Sequence, residues 1–339
     1  MKTLSKFEQI AKKNKRRTVV LVTVLSVLLT LVILLISFKI MSIRTWQSAE
    51  ETRDYYDRMH KIAYPNVQYN YSVFEPTSEF SGYYYLDRVK NIAGIKVPYE
   101  DINAPYGAWK RRSYINGRAR TDTTPYQTAT YTLGSGYKSP MFYNTSYDYN
   151  QEHGFHMKKT QDIAFLPQMK GYAVEMAVTF DKSYTLEEIT NKIPEQLMVN
   201  WYWIGTDSNL YDTAMFTPEE QIGFSLNPYL VRDGKDSTDK EKEDVWQMSY
   251  QDFTENLQLA LDRDWLNHSL STAKGEIYSQ KKEVAAYLKA NPDVKTARFS
   301  GVILTGRAED FSDLEGKEWI FASNIGESIL IHPYHQLQD

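Results

Sequence analysis

Two histidine pairs stand three residues apart, His153 with His156 and His332 with His335, and they are the first places where this chain could hold a metal. Zinc takes imidazole nitrogens from a preorganised face, and Glu152 could add a carboxylate. Gly154 and Pro333 break the helical face that would preorganise either pair, so surface-loop histidines are expected. Asp233, Asp236 and Asp239 form a carboxylate-rich stretch without the alternation and closing Glu of a calcium loop, which reads as solvated. Trp201, Tyr202 and Trp203 could stack on a sugar. Alternation on a strand puts Trp201 and Trp203 on one face, and the expectation is that this face is core. Asp and Glu are plentiful, yet nothing nominates the carboxylate pair of a glycosidase. G-x-S-x-G, H-E-x-x-H and phosphate-binding glycine loops are missing from the sequence. With no cysteine there is no disulfide, thiolate metal site or cysteine nucleophile. A chain without catalytic residues, metal or cofactor is expected.

With so little chemistry to position, the chain is organised by the run Thr18–Phe38, which has no charge and no helix breaker. At about 1.5 Å per residue it matches the roughly 30 Å hydrocarbon core of a bilayer. A cleavable signal peptide has a shorter apolar stretch and a small-residue cleavage site. Here Lys39-Ile40-Met41-Ser42-Ile43 follow instead, so the helix is expected to stay as an anchor. Lys2, Lys6, Lys12, Lys13, Lys15, Arg16 and Arg17 precede it, whereas Lys39, Arg44, Arg53 and Arg58 beyond it alternate with Glu50, Glu51, Asp54 and Asp57. The positive-inside rule then keeps the N-terminus cytoplasmic, with Lys12, Lys13, Lys15, Arg16 and Arg17 setting topology in the plasma membrane.

Charge is distributed unevenly. Residues 1–17 carry seven basic side chains against Glu8, and Lys39 adds one more, so the formal total of −4 leaves −11 on the rest. An acidic outer part argues against nucleic acid as a partner. The basic segment is explained by topology and attraction to anionic lipid. Tyr-rich composition without disulfides suits an exported β-rich domain on a bacterial surface.

Taken in order, residues 1–17 are a basic cytoplasmic segment, 18–38 the transmembrane helix and 39–64 a stalk stopped by Pro65. Leu4, Phe7, Ile10 and Ala11 form a narrow apolar stripe at helical spacing, which reads as a docking face for a cytoplasmic partner, a helix lying in the headgroups or a disordered tail. Residues 65–150 read as a β-rich membrane-proximal part, with strands near Val67–Phe74, Gly82–Val89 and Tyr126–Leu133 between Pro76, Gly94, Pro98, Pro105, Gly107, Gly117 and Pro125. Residues 151–335 read as an α+β sandwich built from two β-α-β units. The first is the strand Tyr172–Phe180, the capping box Thr185–Glu188 with its short helix, and the strand Leu197–Ile204. The second is Lys295–Leu304, a short helix with Ala308, Phe311 and Leu314 on one face, and Glu318–Ser323. Between them are expected a polar loop, Arg232–Asp244, and helices near Ser249–Leu266 and Gly275–Ala290.

The order of these segments and several local strings resemble the sigma factor regulators, membrane-anchored anti-sigma proteins of Gram-positive bacteria. The strings are Pro65-Asn66, Met141-Phe142-Tyr143-Asn144, Thr179–Ile189, Val199–Thr206 and Gly301–Asp310. The resemblance runs from Thr18 to the C-terminus and contains no catalytic motif. It implies a regulator N-terminal-like part at 65–150, a C-terminal-like sensor domain at 151–335, and an extracytoplasmic-function sigma factor or a second anti-sigma membrane subunit as partner. Seventeen residues cannot bury a core, so Leu4, Phe7, Ile10 and Ala11 are the apolar anchors available to such a partner. Self-association into a homo-oligomer is left open by the sequence. An alternative reading is an anchored protein that binds or hydrolyses cell wall.

Overall fold

A computed structural model describes residues 2–109, 121–123, 130–132, 137–149, 157–226, 239–271 and 276–338. Its first element is one unbroken helix, α1, Lys2–Ile62. No glycine or proline interrupts those 61 residues, so each backbone amide beyond the first turn can find its carbonyl four residues back. Hydroxyls in the apolar run fold back onto the helix: Thr23 donates to the Val19 carbonyl at 2.9 Å, Ser26 to Val22 at 2.8 Å and Thr30 to Ser26 at 2.9 Å. A hydroxyl satisfied in this way costs little in lipid. The apolar stretch is unburied on every side, and α1 is long and apolar enough to cross a membrane. The helix ends where Tyr64 and Asn66 adopt left-handed backbone (φ 62° and 55°) around Pro65.

Three long strands follow, β1 (Val67–Ser78), β2 (Ser81–Ile92) and β3 (Ile95–Gly107), in sheet order β1-β2-β3. The sequence expectation missed β3, where Pro98 and Pro105 look like punctuation. The sheet explains how they fit: β3, like β1 with Pro76, is an edge strand, where alternate amides face away from the ladder. Central β2 has no proline, and its Tyr84 and Leu86 are buried while Tyr83 faces out, as a strand with one wet side requires. The short pair β4 (Thr121–Thr123) and β5 (Thr130–Thr132) is antiparallel. It takes in part of the strand expected at Tyr126–Leu133, whose other residues lie outside the described ones.

The remaining elements are β6 (Tyr172–Thr185), α2 (Leu186–Thr190), β7 (Met198–Trp203), β8 (Gly223–Phe224), α3 (Asp239–Asp262), β9 (Ser269–Ser271), β10 (Ile277–Ser279), α4 (Gln280–Ala290), β11 (Arg298–Arg307) and β12 (Ile320–Leu330). Five make one sheet in the order β12-β6-β11-β7-β8, antiparallel at every neighbour. Strand β11 lies between β6 and β7, and β6 lies between β11 and β12, so each short crossover skips one strand. The first crossover opens on the expected capping box: Thr185 accepts from the Glu188 amide, whose carboxylate takes the Thr185 amide at 2.8 Å. The second is a 3-10 turn, Ala308–Leu314, that buries Ala308, Phe311 and Leu314 before Gly316 at φ 71°. Two helix bounds differ from expectation. Helix α3 begins at Asp239, inside the stretch read as loop, and the start of the expected last helix is β10, with Ile277 exposed.

Both faces of the five-stranded sheet are covered. Trp201 and Trp203 pack with Phe142, Ala177 and Ile303, the Phe142 and Trp203 rings stacked at 4.9 Å. On the other face Tyr202 meets Phe224, Trp246 and Phe299, and Phe224 packs against Phe253 of α3. The chain divides into two compact units that share α1 and the three long strands. One comprises Met1–Arg53, Phe74–Tyr84 and Ala104–Ser113; the other comprises Asp54–Val73, Tyr85–Asn103 and Tyr114–Asp339.

Candidate functional site

In the first unit, the expected partner anchors occupy the opening turns of α1. Leu4, Phe7, Ile10 and Ala11 all fall within the helix, Phe7 is 81% exposed, and Ile10 and Ala11 are also open to solvent. Lys12, Lys13, Lys15, Arg16 and Arg17 follow on the same exposed helix, directly ahead of the apolar run. The structure therefore joins the candidate anchors and these five cations in one continuous element.

In the second unit lies an arrangement that sequence reading missed. Glu175, in the middle of β6, is completely buried, and Lys90 of β2 is 1% exposed beside it. The Lys90 ammonium meets Glu175 Oε2 at 2.6 Å, donates to the Lys138 carbonyl at 2.9 Å and lies 5.0 Å above the Tyr99 ring. Asn66 Nδ2 donates to Glu175 Oε1 at 2.8 Å, and the Glu327 amide donates to Oε2 at 3.0 Å. A side chain at Gly326 would begin 2.2 Å from that carboxylate, so only glycine lets β12 approach it. The network continues from Asn200 Nδ2 to Asn66 Oδ1 at 3.0 Å and from Thr305 to Asn200 Oδ1 at 2.8 Å. It ties the turn after α1 to β2, β6, β7, β11 and β12.

A lone carboxylate in the run Tyr-Ala-Val-Glu-Met-Ala-Val is itself a signal. A charge flanked by apolar residues on a central strand must find a partner when buried. What the sequence does not give is which of many lysines supplies it. Lys138 adds a second cation at the edge of this cluster, bonded to the Ile325 carbonyl, and burial pushes its amine down to about 8.

His60, in the last turn of α1, stacks on Tyr64 at 4.4 Å, meets Tyr69 edge-on and bonds the Tyr56 carbonyl through Nδ1 at 2.9 Å. Its Nε2 is buried with no hydrogen-bond partner. Burial, and then the Arg88 guanidinium, hold its imidazole well below the usual histidine range. Arg88 lies 5.3 Å over the same Tyr64 ring and donates through Nε to the Glu100 carbonyl at 2.6 Å.

The metal candidates fare differently. His335 Nδ1 accepts from the His332 backbone amide at 3.1 Å, and the His332 ring stacks on Tyr334. His153 and His156 lie outside the described residues, as do Glu152, Asp233 and Asp236, while Asp239 opens α3. Among the described residues no three His, Cys, Asp or Glu side chains converge as ligands. Trp201 and Trp203 are core, as expected. Met141-Phe142-Tyr143-Asn144 is buried throughout, with the Tyr143 amide on Thr179 Oγ1 at 3.1 Å. The strings that carried the resemblance are therefore mostly core and framework.

One apolar helix long enough to cross a membrane, with basic residues ahead of the apolar run and a β-rich body after it, marks a membrane-anchored chain. The family model described as Sigma factor regulator N-terminal matches residues 8–97, and that described as Sigma factor regulator C-terminal matches residues 166–327. Between them they take in well over half of the chain, which belongs to the sigma factor regulator family. Membership makes it a regulator of sigma factor activity, with a sigma factor as the partner the family implies. No curated protein and no solved structure matches it. The first match contains the apolar run together with Asn66 and Lys90, and the second contains Glu175, Asn200, Thr305 and Glu327. The buried network is where the two family regions meet.

Proposed function

We propose that this chain is a non-catalytic regulator in the plasma membrane of a Gram-positive envelope, with its N-terminus in the cytoplasm and its body outside. The body senses an envelope signal or partner and thereby alters the activity of an extracytoplasmic-function sigma factor. The observation that carries this reading is the continuity of α1, which runs from the candidate anchors through the apolar stretch to the turn at Asn66 without a break. A signal requires a ligand that binds one state of the body better than another, and α1 hands that difference inward. The basic flank supports the orientation. The strand-skipping crossovers support an α+β sandwich of two split β-α-β units as the sensor. Leu4, Phe7, Ile10 and Ala11 would contact the sigma factor or a second anti-sigma subunit.

Deleting residues 67–339 in the host, while keeping the helix, is expected to change transcription from promoters read by the cognate sigma factor. A reporter that responds identically with and without those residues would overturn the proposal.

A further inference from the structure

The apolar run ends at Phe38, and the first unit places the tip of the β1–β2 hairpin there. The Phe80 ring meets Phe38 edge-on, with centroids 5.2 Å apart. The tip is held in place by its backbone: the Phe80 carbonyl accepts from Thr45 Oγ1 at 3.2 Å and from the Ala108 amide at 3.1 Å. The Gly107 amide donates to Ser48 Oγ at 3.2 Å, which fastens the end of β3 to the same face of α1. Around this contact two tryptophans stand open, Trp46 at 63% and Trp109 at 74% exposure, with Ile40 and Ile43 also uncovered. The Arg44 guanidinium lies 6.0 Å over the Trp109 ring.

Distances along the helix put this collar at one level. If Thr18–Phe38 fills the hydrocarbon, Phe38 marks its outer boundary, and the polar headgroup zone adds roughly 5–8 Å beyond it. Trp46 is eight residues on, about 12 Å by helical rise. Side chains on a helix lean back toward its N-terminus, which brings the indole down over the preceding turn and into that zone. Exposed tryptophan beside arginine, at the end of an apolar span, is the composition of an interfacial belt. In water the same side chains would form an uncovered apolar patch.

We infer that the β1–β2 hairpin tip, with Phe80, Trp46, Trp109 and Arg44, rests in the headgroup layer of the bilayer that α1 crosses, as a second membrane contact. The apolar rings sit against the upper acyl chains, and Arg44 and Lys39 face lipid phosphates. The occupant of this surface is lipid because the surface is continuous, through Phe80 and Phe38, with the lipid-covered helix. The consequence is mechanical: the β1–β2 hairpin tip is pinned to the membrane at a fixed depth beside α1.

The inference rests on Thr18–Phe38 spanning the bilayer, and the test separates the two. The chain has no cysteine, so single-cysteine variants of the full chain can carry a nitroxide without further changes. Glu79→Cys on the tip, Ile36→Cys in the span and Asp313→Cys on the exposed 3-10 turn would be reconstituted into phosphatidylglycerol–phosphatidylethanolamine vesicles. Collision with oxygen is compared with collision with a soluble nickel chelate. The expected result is an oxygen-to-nickel ratio at Glu79→Cys several-fold above Asp313→Cys, below Ile36→Cys and unchanged when labelled protein is diluted with unlabelled. A ratio at Glu79→Cys equal to that at Asp313→Cys overturns the collar while leaving the span intact. Protection that vanishes on dilution overturns it in favour of a second copy of the chain. Nickel access at Ile36→Cys would overturn the span, and the collar with it.

Discussion

At the scale of single residues, the chain invests its buried polarity in structure. Lys90 and Glu175 are both sealed from solvent; both carboxylate oxygens accept hydrogen bonds, and the ammonium also donates to the Lys138 carbonyl. A buried pair of this kind adds little net stability over an apolar pair, but removing one member strands the other. Glu175→Ala is therefore expected to cost about 3–5 kcal/mol, read from urea unfolding followed by tryptophan fluorescence. The double replacement Lys90→Met with Glu175→Leu should cost markedly less than Glu175→Ala alone. His60 carries a pH dependence whose sign is fixed by its surroundings. Its folded-state pKa lies well below the ordinary histidine value because of burial and Arg88. Below about pH 6.5 the unfolded chain takes up a proton that the folded chain resists. Stability present above that pH is then lost progressively as pH falls, and unfolding titrations of His60→Gln between pH 7.5 and 5 should show a shallower decline than the parent.

At the scale of elements, α1 is where sequence and structure agree most closely, because a run without glycine or proline and with one long apolar stretch admits few alternatives. The same holds for the capping box at Thr185 and for the alternation of Tyr83, Tyr84 and Leu86 on β2. Strand β3 was illegible because proline penalises a strand only where its amide is needed, and edge position is a property of the sheet rather than of the segment. The start of α3 was hidden by its charge: Asp239–Asp244 has the composition of a loop yet begins the helix whose later turns bury Phe253 and Leu257. A continuous α1 makes a further prediction. Each added residue turns everything beyond it by about 100°. Insertions of one to four alanines after Glu51 should therefore change reporter output with a period near 3.6 residues, rather than in proportion to added length. Output falling monotonically with length would mean that α1 acts as a tether and not as a shaft.

At the scale of the whole molecule, the sequence revealed the single apolar helix, the β-rich body and the family, since each rests on long patterns or on an ordered series of strings. Of the candidate anchors, only the helical spacing was legible, and Phe7 and Ile10 stand exposed on that helix. The junction at Glu175 was not, because its members come from positions 66, 90, 138, 175, 200, 305 and 327 and only folding brings them together.

That junction also limits how such chains can diverge. A carboxylate contributed by one family region and an ammonium by the other behave as lock and key within a single molecule. Neither region can be exchanged for its counterpart from a relative unless the incoming piece brings matching groups at Asn66, Lys90, Glu175 and Asn200. Substitutions there are expected to be inherited as linked sets, and the two halves to travel through descent together.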